Sequence, residues 1–339
     1  MFFAREVLSR FAALAALTLA FSACGSHSLD PSDPVDKQGI IDATNNALNS
    51  GDCLTALNTI LPLYNSAYTD NTVRMVAASA YGCHAHINFI NVINALSSAP
   101  NLGGSGFFEF AQQTFLSTLG QDKVVEGAGL GTDALMAVMT PGQVIVPQFE
   151  INIATPNPGS LIVTDRIQDS NMYLMMMSLA LIGGVESRDG APLANHHKGA
   201  PMPWTQSDAS GMNADGCAYA SALLNFGDAL KTTLNAIAGN AQSAFQQIST
   251  GFVQTLDQAC AIGCQNIPVP NGTPLLNPSG VWPTDNCTAA VPCTNATGCP
   301  ISLRNRNSCT QLTSDVNSCA AAGIVNFVNN SSVGWQGPP

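Results

Sequence analysis

Gly51-Asp52-Cys53-Leu54-Thr55-Ala56-Leu57-Asn58-Thr59-Ile60-Leu61-Pro62-Leu63-Tyr64 decides the fold. Gly51-Asp52 breaks the segment before it. Leu54, Leu57, Leu61 and Tyr64 then recur at intervals of three and four, the period of a helix with one apolar face. Working outward, Asp36 to Asn49 reads the same way, with Ile40, Ile41, Ala47 and Leu48 on one side and Thr44 between them. On the other flank, Asp70-Asn71-Thr72 is a helix start signal. A third helix is expected from there through Val73, Val76, Ala77, Ala80 and Tyr81, continuing unbroken to Ile93 and Leu96. If the turn lies near Ala67, Cys53 and Cys83 are about equally far from it on antiparallel helices and should form a disulfide. Neither sits near a CxxC or a base, so the expected role is structural.

The rest of the chain extends this pattern. Pro100 to Gly106 is a glycine-rich break with no Lys-Ser/Thr after it, so it is not a phosphate loop. Helices are expected over Phe107 to Leu119 and Gln121 to Met139, the second interrupted by Gly127, Gly129 and Gly131. Pro141 to Pro158 reads as an irregular loop with room for a short hairpin. A helix starting at Thr164 or Ser170 carries Met172, Leu174, Met175, Met176, Met177, Leu179, Leu181 and Ile182. It is apolar nearly all round, which places it at the centre of a bundle. A methionine-rich partner groove is the rival reading. Asn213 to Ile237 and Gln242 to Cys260 read as a hairpin that buries Leu223, Phe226, Leu230, Leu234 and Ile237 against Phe245, Ile248, Phe252 and Leu256. Cys217 is expected to bond to Cys260 or Cys264, two positions about 6 Å apart along a helix.

From Gln265 to Asn307 the helical signals vanish. Cys287, Cys293, Cys299, Cys309 and Cys319 follow, with Cys264 available beside them. A stretch this poor in apolar residues needs cross-links, at about 2–4 kcal/mol each. A zinc cluster is disfavoured by the lack of CxxC pairs. Thr313 to Asn329 reads as a last helix with Val316, Ala320, Ile324 and Phe327 facing in. The fold class is all-α: stacked antiparallel α-hairpins with a disulfide-rich, loop-dominated C-terminal region. Residues 35–265 form the helical domain, and residues 266–339 the Cys-rich region with its terminal helix.

Two resemblances refine this. Gly51-Asp52, Ala56-Leu57, Ile60, Asp70-Asn71 and Ala80-Tyr81 resemble a tetratricopeptide repeat over residues 36–84, about one and a half units of ~34 residues. The resemblance implies repeat-like stacking; an irregular helical bundle is the alternative. Residues 1–23 have the layout of an export signal: Arg5 and Arg10, then an uncharged run from Phe11 to Ala20, then small residues. The run is far short of the ~20 residues a membrane-spanning helix needs. Ser22-Ala23-Cys24 resembles the lipobox of bacterial lipoproteins, with Phe21 where that family prefers Leu. The resemblance implies cleavage before Cys24, lipidation of its thiol and acylation of the new N-terminus. Gly25 after the cysteine implies transfer to the outer membrane, on a side left open. Cleavage after Ser22, giving a soluble exported protein, is the alternative. Parity favours the lipid: of 11 cysteines, 10 remain to pair once Cys24 is used. Residues 24–34 read as a tether.

Composition then limits function. Removing residues 1–23 leaves 9 basic and 21 acidic residues, a net charge of −12. No basic cluster exists, so nucleic acid is not an expected partner. Sequons at Asn271, Asn286 and Asn295 are read as unused in a bacterial envelope. No Gly-x-Ser-x-Gly, HExxH or supported Ser-x-x-Lys occurs. His84 and His86, two apart on the expected helix, diverge, and one is expected to be buried. No cofactor, metal or catalytic set is nominated. The stretch singled out for a ligand or partner is the long polar segment Ser187 to Met212, with His196, His197, Trp204 and Asp208, and Asp215 just beyond. Three functions are carried forward. The first is a non-catalytic envelope lipoprotein that binds or assembles another envelope protein. The second is a small-molecule binding component serving a transporter, and the third an envelope hydrolase. An open groove favours the first, an enclosed pocket the second, and convergence of His with Asp or Glu the third.

Overall fold

The computed structural model describes residues 30, 33–65, 70–99, 102–115, 121–139, 164–200, 206–208, 211–212, 214–233, 240–248, 306, 324, 328 and 334–337. Short polar side chains set the first helix starts by accepting from orphan amides. Asp33 caps α1 (Pro34–Asn49) through the Val35 and Asp36 amides, with Pro34 in the first turn. Asp52 caps α2 (Cys53–Tyr64) through Thr55. Asp70 caps α3 (Asn71–His84) through Thr72 and Val73. Asn88 caps α4 (Phe89–Ser98) through Asn91. There follow α5 (Gly106–Thr114), α6 (Gln121–Met139) and α7 (Thr164–Asp189). A two-stranded antiparallel ribbon, β1 (Gln206–Asp208) with β2 (Gly211–Met212), precedes α8 (Ala214–Thr233) and α9 (Asn240–Ile248). The architecture of the described residues is all-α.

The helix expected to run unbroken from Asn71 to Leu96 does not. It stops at His84 and restarts at Phe89. The stop is a full Schellman motif. The His86 amide donates to the Cys83 carbonyl, the Ile87 amide donates to the Gly82 carbonyl, and His86 takes φ 57°. The same motif ends α1, where Gly51 takes φ 74° and the Gly51 and Asp52 amides reach Leu48 and Ala47. His86 therefore does not lie on a helix with His84. It is exposed and His84 is half-buried, so neither is the buried histidine expected.

A second correction concerns α2. Its buried residues are Ala56, Leu57, Ile60 and Leu63, while Leu54 is 58% exposed. The helix packs against both α1 and α3, so the seam between two neighbours sets the stripe, not the Leu54–Leu61 line. Cys53 and Cys83 are joined by a disulfide, with Cα atoms 5.2 Å apart.

Two apolar cores meet at α3. One fills α1–α3, and Leu130 of α6 packs onto it. The larger one surrounds α7, which packs against α5, α6 and α8. Every residue from 174 to 187 is buried, as its all-round apolar character predicts. The centre is shared, because α8 is also buried at every position from 216 to 230. Two neighbouring helices crowd Met177 of α7. A Cβ on Gly82 of α3 or on Gly131 of α6 would lie 2.6 or 2.5 Å from its terminal methyl carbon. The glycines that looked like interruptions of α6 thus admit neighbouring side chains.

The C-terminal region is not separate where it is described: Ile324, Val328 and Trp335 lie in the larger core. Arg306 pairs with Asp133 of α6 at 2.9 Å. Cys217 is disulfide-bonded. Its expected partners, Cys260 and Cys264, lie outside the described residues. So do Cys24, Cys287, Cys293, Cys299, Cys309, Cys319, Leu234, Ile237, Phe252 and Leu256.

Candidate functional site: a cleft between two helices and a strapped loop

An open cleft of about 680 Å³ lies between α4 and α5. Asn88, Asn91, Val92, Ala95 and Ser98 form one side, and Glu109, Phe110, Gln113 and Thr114 the other. His86 and His196 complete its lining. The floor is apolar and closed: Val92, Phe110 and Phe115 are 2%, 9% and 7% exposed. The rim is amide, hydroxyl, imidazole and the one carboxylate of Glu109.

Both histidines are held with the backbone in the left-handed region. Only three described non-glycine residues have positive φ: His86, Ala191 and His196, at 57°, 45° and 64°. Two of the three line this one cleft. Such a conformation costs an L-residue about 1–2 kcal/mol, and strain of this kind clusters at functional sites. The surroundings of His196 enforce it. Its amide donates to the Leu193 carbonyl, and Leu193 donates back to the His197 carbonyl. The indole N–H of Trp335 donates to the His196 carbonyl at 2.9 Å. The Lys198 amide donates to the Gln336 carbonyl at 2.6 Å. Trp335 also covers Gly190 so closely that a Cβ there would lie 2.1 Å from the ring. Residues 334–337 thus strap the 190–199 loop to the body of the bundle.

The imidazole of His196 is fixed in turn by a buried relay. Its Nδ1 lies 3.0 Å from Gln112 Oε1. The other end of that amide is set by Ser187 of α7, to whose Oγ Gln112 Nε2 donates at 3.4 Å. Ser187 Oγ donates to the Gln112 carbonyl at 3.2 Å. With Oε1 accepting, a neutral His196 carries its proton on Nδ1 and keeps Nε2 as acceptor. His197 turns to a different partner, with Nε2 3.3 Å from Glu109 Oε1. Lys198 is fully enclosed, and desolvation holds its ammonium down to about 8.

The loop singled out from sequence places His196 in the lining of the cleft. His196 and His197 both reach α5, through Gln112 and Glu109, three residues apart. Asp208 lies in β1 and Asp215 is the second residue of α8. Trp204 is outside the described residues. The loop begins later than expected, because Ser187 to Asp189 belong to α7. Sequence reading missed His86, Asn88, Asn91, Glu109, Gln112 and Gln113. The one available signal was Asn88, a helix-capping residue just before apolar Phe89. Among the described residues, no group of three His, Cys, Asp or Glu side chains is placed to hold a metal ion.

Beneath the loop, Glu186 is fully buried and accepts a 2.7 Å hydrogen bond from the Tyr219 hydroxyl. Its Oε2 has no hydrogen-bond partner. Desolvation raises the carboxyl well above its ordinary range, and the Tyr219 bond only partly opposes this.

No known protein family, curated protein or solved structure matches this chain. What fold and site define together is a class: an all-α protein with a disulfide-braced first hairpin and an open, polar-rimmed cleft whose histidines are conformationally strained. Among the described residues, no helix is long and apolar enough to cross a membrane.

Proposed function

We propose that this chain is a non-catalytic, lipid-anchored protein of the bacterial envelope that presents the α4–α5 cleft to another envelope protein. The observation that carries the binding role is the placement of two strained histidines on one open cleft. Strain persists where the surrounding structure fixes it, and here Gln112, Ser187 and Trp335 fix it at His196. The open shape favours a macromolecular partner over a small ligand, which is normally enclosed over most of its surface. The lipobox-like Ser22-Ala23-Cys24 supports a thioether-linked anchor, and Gly25 supports the outer membrane. The turn at Ala85–Asn88 ends α3 at the end of the repeat-like stretch, which is compatible with tetratricopeptide-like stacking.

A second reading, catalysis, is favoured by the His197–Glu109 pair. It is the weaker one, because among the described residues no Ser, Thr or Cys side chain hydrogen-bonds to that pair.

Site-specific photo-crosslinking in intact cells tests the first reading. A photoreactive residue at Asn91 or Gln113 should capture one envelope protein, and the same residue at exposed Asp42 of α1 should not. Capture that is equal from all three positions, or only of the chain itself, counts against it.

A further inference from the structure

We infer that the cleft seats an extended, basic polypeptide segment, with a lysine or arginine of the partner paired to Glu109. This rests on the protein-binding reading above and names the chemistry of its partner.

The polar groups of the cleft suit a peptide backbone. Asn91 and Ser98 on one side, and Gln113 and Thr114 on the other, offer both donors and acceptors. An extended chain presents N–H and C=O groups to the same side every two residues, about 6.6 Å. Glu109 and Gln113 are four residues apart on α5, about 6 Å along the axis. The ten residues of α4 span about 15 Å, enough for four or five extended residues.

The floor argues against a sugar. Carbohydrate rings stack on open aromatic faces, but Phe110 and Phe115 are almost wholly covered. This apolar floor, with Val92 and Ala95, suits aliphatic side chains instead. Charge selects the sign. Glu109 is the cleft's carboxylate, and no lysine or arginine is among the residues that line it. Its Oε1 faces His197, and its other oxygen has no hydrogen bond among the described residues. The whole chain carries −11, so approach of a cation is favoured at long range as well.

Fluorescence anisotropy on the full processed, disulfide-intact protein tests this with three labelled hexapeptides: alternating Lys-Val, alternating Glu-Val and alternating Ser-Val. The Lys-Val peptide is expected to bind about tenfold more tightly than Ser-Val, the size of one charged hydrogen bond. Glu109→Gln should abolish that preference while leaving the melting temperature and circular dichroism unchanged. Asp42→Asn, the same charge change outside the cleft, should leave the preference intact. Asn91→Ala and Gln113→Ala should weaken all three peptides alike. Equal binding of the three peptides, preference for Glu-Val, insensitivity to Glu109→Gln, or binding of a neutral N-acetylglucosamine oligomer in their place would overturn the inference. Crosslinking from Asn91 and Gln113 separates the two readings. Selective capture of an envelope protein with no charge preference sinks only the basic-segment inference, whereas failure of capture sinks the protein-binding reading beneath it.

Discussion

His86 and Gly51 occupy the same position in two copies of one helix stop, and only one of them announces it. Gly51 is visible in the sequence, because glycine is the usual residue where φ must be positive. His86 is not visible, because histidine there works against the local backbone preference and is held by the amide bonds at Gly82 and Cys83. Replacing His86 with glycine removes about 1 kcal/mol of strain, partly offset by the greater freedom of glycine in the unfolded chain. The expected outcome is a melting temperature no lower than the parent's, with reduced partner capture. A drop of several degrees would mean that the imidazole serves packing. Glu186 gives a pH prediction at the same scale. Its folded pKa lies well above the ordinary 4.5, so the folded chain keeps a proton that the unfolded chain releases. Its contribution is complete below pH 4.5 and declines as pH rises toward the folded value, by about 1.4 kcal/mol per unit. Glu186→Gln keeps an acceptor for Tyr219 and cannot ionise. In urea denaturation above pH 5, the variant should gain on the parent as pH rises toward the folded value. A pH-independent difference would refute the buried, protonated carboxyl.

At the scale of elements, the first hairpin was legible because every cue agreed. Gly51-Asp52 and Asp70 are each followed by an apolar pattern of helical period, and the two cysteines sit at matching distances from the turn. The disulfide spans 30 residues, a loop whose closure is worth about 3–4 kcal/mol of unfolded-state entropy. Replacing both cysteines with alanine should lower the stability of the α1–α3 unit by that amount, as read by hydrogen exchange. An equal loss of protection in α8 would instead indicate one cooperative unit. The face of α2 was misread because a helix held between two others buries what lies in the seam, which spacing alone does not define. The cleft was illegible for a similar reason. It joins α4 and α5 to a loop whose His196 meets Gln112 across a sequence separation of 84, and no local pattern encodes such a meeting.

For the molecule as a whole, the all-α class was readable from helical periodicity, and the centrality of α7 from its lack of a polar face. That α8 is equally enclosed was not, because its amphipathic pattern reads as one-sided. Location is a prediction of the sequence alone. Cys24→Ser should shift the protein from the membrane to the soluble fraction of lysed cells, and mass spectrometry of the parent should find acyl chains on residue 24. An unmodified Cys24 thiol in membrane-derived protein would end the lipoprotein reading, while leaving the helices and the cleft as described.

The indole that clasps the His196 carbonyl comes 139 residues later in the chain. During synthesis, α4 and α5 emerge long before that clasp exists. The imidazole therefore acquires its final pose only after Trp335 has been made. A chain not yet extended to Trp335 would offer a half-built berth, so recognition is deferred until that residue is in place.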